Sequence, residues 1–415
     1  MTAIVGVLNK HAVAIAADSA VTMGNTHKVI NSANKIFTLS KYHPVAVMTY
    51  NNATFMGVPW DIIIKEYRKQ LKDESFPCLR DYVDNFIDYL HIRKFFCDER
   101  TQQEFMICLL DSFLNICRNE ILKDNNIKKD ELTKDLMEEK LRSCLAANLN
   151  SDKCPEFSSY SYNDFKSYAS SSIEEYANSV TDVDNTELLM ESFFYYMAAK
   201  FSQPFYTGLV FVGYGENEIY PSLYPINVSL GIDNHLKYYW DDSNIAQITE
   251  HGAGAIIIPF AQIDVTQTII RGINPTFQDI IYNVIDKSIT SFSSAITKIL
   301  DSDPSTAIMS EAVKGLDLKP IIRDITSQIN SEMRKTYTNP LLNTVVSLDK
   351  EDMANMAESF ISLTSLVRRM QPGEETVGGP VDVAVISKGD GFVWINRKHY
   401  FKPELNASFF SNYFK

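Results

Sequence analysis

Cysteine is sparse and badly spaced for any staple. The six present (Cys78, Cys97, Cys108, Cys117, Cys144, Cys154) fall within one stretch and include no CxxC pair. That spacing fits neither a zinc centre nor a disulfide framework, so reduced core thiols in a cytoplasmic protein are expected. Positive charge is short as well: 39 Lys+Arg stand against 52 Asp+Glu, a net charge of −13, with no basic block. A phosphate-backbone binder is thereby disfavoured, and no nucleic-acid partner is expected. Long apolar runs are missing too. Ala12–Ala17 and Ala255–Ile258 fall far below the ~20 residues that span a bilayer. The N-terminus lacks the basic region and continuous apolar core of a signal peptide. Neither membrane nor secretion is expected.

Familiar catalytic signatures are absent. There is no Walker A, HExxH or GxSxG sequence, and the histidines (His11, His27, His43, His91, His235, His251, His399) show no ligand spacing. Gly213-Tyr214-Gly215 lacks a third glycine and precedes a strand pattern, so it predicts a hairpin turn in place of a dinucleotide site. No metal and no cofactor are expected.

Alternation and turn signals are what the sequence does contain. Ala3–Leu8 and Ala12–Ala17 read as strands around the turn Asn9-Lys10-His11, with a further turn at Met23-Gly24-Asn25. Lys35–Leu39 and Val45–Tyr50 predict a second pair. From Pro59 the period becomes helical, with Trp60, Ile63, Ile64, Tyr67 and Leu71 on one face. Helices continue to about residue 200, interrupted by the Ser/Tyr-rich Ser158–Ser172, which reads as a loop. Strands return at Leu209–Val212, Ile219–Val228, Lys237–Trp240 and Ala255–Pro259. Helices follow over Asp264–Arg271, Thr276–Ile289 and a further stretch to about 350. Met356, Phe360, Leu363, Val367 and Met370 mark a helix stopped by Pro372-Gly373. Val381–Ser387 and Phe392–Ile395 close the pattern as a hairpin. Strands at both ends with helices between them give an α+β class with antiparallel sheets.

The start of the chain joins three features. Thr2 follows a methionine that small neighbours allow to be removed, Asp18 ends the second strand, and Lys35 begins the third. With TAIVGV, VAIAADSAVTMGN and the late GGPVDVAVI strand (Gly378–Ile386), the layout resembles the proteasome β-subunit group of N-terminal-nucleophile (Ntn) hydrolases. It is especially similar to the proteolytic subunit of the bacterial two-component proteasome-like protease. The resemblance covers about 170 residues in three blocks, with the lysine one residue late. It implies a single Ntn domain over 1–415, a four-layer αββα sandwich of two antiparallel sheets. Its core blocks are about 1–60, 205–290 and 350–400, with helical insertions at about 60–200 and 290–350.

The resemblance also implies a chemistry. Thr2 matches the nucleophile, and its free α-amine, with pKa near ~7.7–8, is the general base. Lys35 lowers the pKa of the site by its charge, and Asp18 holds that ammonium. The Asn51 N–H stands where the family, usually with glycine, stabilises the oxyanion. Ser19 and Glu374 are supporting candidates. The family's serine before its third helix has no counterpart in Gly252-Ala253-Gly254-Ala255 or Pro259-Phe260-Ala261-Gln262. Its Asp-x-x-Ser becomes Glu374-Glu375-Thr376-Val377. A threonine peptidase is therefore expected, as a homo-oligomer, with any partner ATPase unknown. A non-catalytic assembly subunit and a small-molecule amidase are the alternatives.

Overall fold

The computed structural model describes residues 2–23, 28–124, 127–128, 131–201, 204–371, 377–399 and 401–408. Strands β1 (Ala3–Asn9), β2 (Val13–Ala17), β3 (Val21–Met23), β4 (Lys28–Ile30), β5 (Ile36–Thr38), β6 (Val45–Asn51), β7 (Thr54–Phe55) and β8 (Val58–Pro59) open the chain. Helices α1 (Trp60–Leu71), α2 (Leu79–Ile92), α3 (Glu99–Asp124), α4 (Lys134–Asn148), α5 (Tyr162–Ser179) and α6 (Thr186–Ala198) follow. Then come β9 (Thr207–Gly213), β10 (Ser222–Ile232), β11 (His235–Trp240), β12 (Ala246–Gln247) and β13 (Ala255–Ala261). A second helical run comprises α7 (Asp264–Arg271), α8 (Pro275–Asp301), α9 (Ala307–Lys314), α10 (Lys319–Met333), α11 (Asn339–Val346) and α12 (Lys350–Met370). Strands β14 (Asp382–Ser387) and β15 (Gly391–Asn396) complete the α+β pattern.

The chain divides into two compact units: Met1–Ala33 with Ile248–Val385 and Trp394–Lys415, and Asn34–Gln247 with Ile386–Val393. In the first, a sheet runs in the order β13-β1-β2-β14-β15, with β1 antiparallel to both β2 and β13. Strand alternation sends Ala3, Val5 and Val7 of β1, with Ala14 and Ala16 of β2, into one core with Met353, Ala357, Phe360 and Ile361 of α12. Small side chains on β2 let α12 approach closely. Ile4, Leu8, Val13 and Ile15, on the other face, are also buried. Asn9 ties the β1–β2 turn down. Its Oδ1 accepts the N–H groups of His11 and Ala12 at 2.9 and 3.2 Å, and its Nδ2 donates to the Val345 and Leu348 carbonyls at 3.0 Å.

The second unit holds an antiparallel sheet in the order β11-β10-β9-β6-β5. Val45 and Val47 of β6, Leu209 and Phe211 of β9, and Tyr224, Ile226 and Val228 of β10 meet the apolar faces of α1–α6 in one core. Phe86 of α2 stands against Phe211, Tyr67 and Trp60 at ring-centre distances of 5.4, 5.0 and 6.3 Å. A buried aromatic of this kind removes about 150–250 Å² from water.

Three local expectations are corrected. Ser158–Ser172 is mostly helical: α5 starts at a capping box of Ser161 and Asp164 and buries Phe165, Ala169, Ile173 and Ala177. That i, i+4 stripe outweighs the weak helix preference of its serines. Helix α8 runs to Asp301, twelve residues past the expected end. Strand β10 begins at Ser222, after Ile219, which is exposed. By contrast α7 matches its predicted bounds, ending at Gly272 with φ +75°, a left-handed cap. Gly24, Asn25, Pro372 and Gly373, expected turn and stop residues, lie outside the described residues.

Candidate functional site

Antiparallel register does the first assembly. Ile4 pairs with Ala17, which sets Ala3 beside Asp18. The Asp18 N–H donates to the Ala3 carbonyl at 3.1 Å, and the Ala3 N–H donates back to Asp18 Oδ1 at 2.9 Å. The other carboxylate oxygen accepts from the N–H groups of Ala20 at 3.0 Å and Gly378 at 3.3 Å. Asp18 is 1% exposed. Hydrogen bonds to a charged acceptor are worth about 1.5–3 kcal/mol each, and three of them fix the carboxylate's orientation.

Thr2 precedes this pair at the entrance of β1. It is 4% exposed, and its carbonyl accepts from the Gln262 N–H at 3.1 Å. Ser19 fastens the same corner to the late strand. Its N–H donates to the Gly378 carbonyl at 3.0 Å, its carbonyl accepts from Ala33 N–H at 3.1 Å, and its Oγ donates to the Pro380 carbonyl. Gly379 has φ +75°, and a Cβ there would stand 2.9 Å from Asn31 Cβ and 3.2 Å from Ser19 Cβ. Only glycine fits both demands. Asp382, two residues beyond Pro380, is occupied elsewhere, accepting from the backbone N–H of Lys398 at 2.9 Å and from its ammonium.

Lys35 and Asn51 belong to the other unit, at the β5 and β6 strands. Lys35 is 4% exposed and its carbonyl accepts from Thr49 N–H at 2.9 Å. Asn51 has φ +70°, a region where asparagine is the favoured substitute for glycine. Its Nδ2 donates to the Tyr206 carbonyl at 2.8 Å. Beside it Thr207 Oγ1 donates to the Asn52 carbonyl at 3.0 Å and accepts from Trp60 Nε1 at 2.8 Å. Glu374 lies outside the described residues, as does Met1. Among the described residues no three His, Cys, Asp or Glu side chains are grouped as metal ligands.

Three buried or closely packed residues escape a sequence reading. Gly378 and Gly379 supply a donor and a close approach to a corner some 360 residues earlier, and only the adjacent glycines before the last strand hint at it. The third is Lys237, a second buried lysine, 1% exposed. Its ammonium donates to the Met197 and Ala199 carbonyls at the end of α6, at 2.6 and 2.8 Å, and to Cys154 Sγ at 3.5 Å. Burial pushes its pKa down to about 8. Its alternation in β11 gave no sign of that role.

No protein-family profile matches the chain, and no curated protein does. Solved structures that align with it include a Gly-1 mutant of Anbu from Hyphomicrobium sp. strain MC1, at 8% identity and a TM-score of 0.31, over 100% of this chain and 95% of that one. Another is Anbu (ancestral beta-subunit) from Yersinia bercovieri, at 9% identity and a TM-score of 0.29, over 99% and 94%. At this level of superposition the likeness carries no argument. No helix among the described residues is long and apolar enough to cross a membrane.

Proposed function

We propose that the chain is an Ntn-type hydrolase of amide, and chiefly peptide, bonds, acting through an acyl-enzyme on Thr2 after removal of Met1. The observation that carries this is the Asp18 carboxylate, buried and held by three backbone N–H groups, one of them on Ala3, the residue next to Thr2. With it go the single interrupted domain and the αββα sandwich. Supporting these are two sheets, each with helices against one face. In the proposed reaction the Thr2 amine takes the proton of its own hydroxyl, and Oγ1 attacks the substrate carbonyl carbon. The Asn51 N–H receives the oxyanion. Collapse breaks the C–N bond, the leaving amine takes the proton, and water then hydrolyses the ester. Lys35 favours the deprotonated nucleophile by its charge, Asp18 orients that ammonium, and Ser19 and Glu374 support the amine.

A non-catalytic assembly subunit is the second reading. In its favour, the Ser19 hydroxyl is already committed to the Pro380 carbonyl, and neither Gly252–Ala255 nor Pro259–Gln262 supplies a serine. A small-molecule amidase is the third. A homo-oligomer in the cytoplasm is proposed with all three, supported by the exposed Phe277, Phe292 and Ile299 of α8; a partner ATPase is not identified.

Intact mass and active-site labelling test the first reading. Protein from its own host should lack one methionine, and a peptide epoxyketone or boronate should label it. Thr2→Ala should abolish labelling at unchanged melting temperature, Thr2→Ser should keep part of it, and Lys35→Ala should lose activity in a folded chain. Asp18→Asn turns an amide N–H₂ toward N–H donors and should cost about 1–3 kcal/mol as well as activity. A retained or acetylated Met1, or labelling that survives Thr2→Ala, overturns it.

A further inference from the structure

Two thiols of the first helical run meet across neighbouring helices. Cys117 Sγ on α3 lies 3.9 Å from Cys144 Sγ on α4, a contact between sulfurs 27 residues apart in the chain. Cys117 is buried, while Cys144 is partly exposed and so open to a small reagent. A bond of ~2.05 Å requires the two sulfurs to close the rest of that distance.

The charges around the pair make it asymmetric. Lys140, one turn before Cys144, is held 2.8 Å from Glu120 of α3. The Cys144 thiol lies below its ordinary pKa, chiefly through its hydrogen bond with Cys117, with the Lys140 ammonium adding to the effect against burial and Glu120. Cys117 is pushed up by that same hydrogen bond and by burial. Cys144, the partly exposed sulfur on the Lys140 side, is thus the one placed to react first, and Cys117 is enclosed behind it. Other thiols of the segment are held differently: burial pushes Cys97 up to about 11 and raises Cys78 and Cys154.

We propose that Cys117 and Cys144 form a thiol–disulfide exchange site, which takes small disulfides of the glutathione class and closes into an internal bond between α3 and α4. The Cys144 thiolate attacks one sulfur of the small disulfide. The Cys144–S bond forms, the S–S bond breaks, and the departing thiolate takes up the proton Cys144 had lost. Cys117 then loses its proton to water and attacks Cys144 Sγ, expelling the second small thiolate, which is protonated in turn. Two protein thiols and one small disulfide become one internal disulfide and two small thiols. The small disulfide is the oxidant. The product ties α3 to α4, and none of this depends on the amide-hydrolase reading.

The test uses the reduced full-length protein, oxidised glutathione, an acid quench and peptide mapping by mass spectrometry. The wild type should lose two hydrogens, yield a Cys117–Cys144 linked peptide and gain melting temperature on oxidation. Cys117→Ser, checked for native circular dichroism, should accumulate one glutathione on Cys144, whereas Cys144→Ser should leave Cys117 unmodified. In the reduced wild type, iodoacetamide should modify Cys144 about tenfold faster than Cys97. Stable glutathione adducts on the wild type without an internal link, a link between other cysteines, or Cys97 reacting first would overturn the proposal.

Discussion

From Trp60 to Ala198, turn after turn sends a large side chain inward; Trp60, Tyr67, Phe86, Phe113, Phe165 and Phe193 are all less than 2% exposed. From Pro275 to Val346 the pattern inverts. Helix α8 buries only Gln278, α9 only Ser310, α10 nothing and α11 only Val345. Meanwhile Phe277, Phe292, Ile299 and Ile308 are 56, 68, 71 and 88% exposed. Both runs carry apolar residues at helical spacing. The first run has the broad β10-β9-β6 sheet of its own unit to cover, while the sheet of the other unit is covered mainly by α12, with α11 adding Val345 at its edge. Amphipathicity therefore fixes which face of a helix is apolar and leaves open what that face meets.

The largest effect that would sharpen this contrast is in the first run. Phe86→Ala removes a ring enclosed by Trp60, Tyr67, Tyr89 and Phe211 and should cost about 3–5 kcal/mol in denaturant unfolding. A loss below 1 kcal/mol would break the contrast. Next is Lys237, whose ammonium is enclosed by the same packing. Its pKa is about 8 folded and about 10.4 unfolded. Between those values the unfolded chain holds a proton that the folded chain has released. Stability should therefore rise with pH across that window, by up to about 1.4 kcal/mol per unit, and the gain should fade as pH falls toward 8. Urea midpoints at pH 8 and 10 compare the slopes; Lys237→Met should flatten it. The smallest effect belongs to the second run. Phe292→Ser should change unfolding free energy by less than about 0.5 kcal/mol while lowering self-association in light scattering. A large destabilisation there would mean that α8 is packed after all.

The terminal hairpins were legible because short apolar strands are bounded by strong turn residues, as at Asn9 and Lys388-Gly389-Asp390. The corner at Asp18 was legible only in part. Its position at the end of β2 can be read along the chain, but its third donor comes from Gly378 and its fixity from Gly379. Asn51 was placed as a departure from glycine, and its positive φ shows why asparagine is tolerated there. Helix α5 was misread because serine content is a local signal, while the burial of Phe165 and Ile173 is decided by elements elsewhere in the second unit. The length of α8 shows the same limit, since periodicity carries no end signal where no glycine or proline interrupts it, whereas at β10 the start follows Pro221 directly.

The discontinuity of the first unit has a consequence during synthesis. Its hairpin β1–β2 leaves the ribosome long before β13, which completes the next rung of its sheet and begins at Ala255, and the glycines that close the Asp18 corner come later still. At translation rates of about 5–20 residues per second, the whole of Asn34–Gln247 takes roughly ten to forty seconds to emerge. During that interval nearly every residue of β1 and β2, all buried in the finished chain, waits without its neighbours. The segment in between can meanwhile assemble from nearly contiguous sequence. The nascent chain thus holds this apolar hairpin unpartnered through the synthesis of the segment between, and the hairpin is a natural client for a ribosome-associated chaperone.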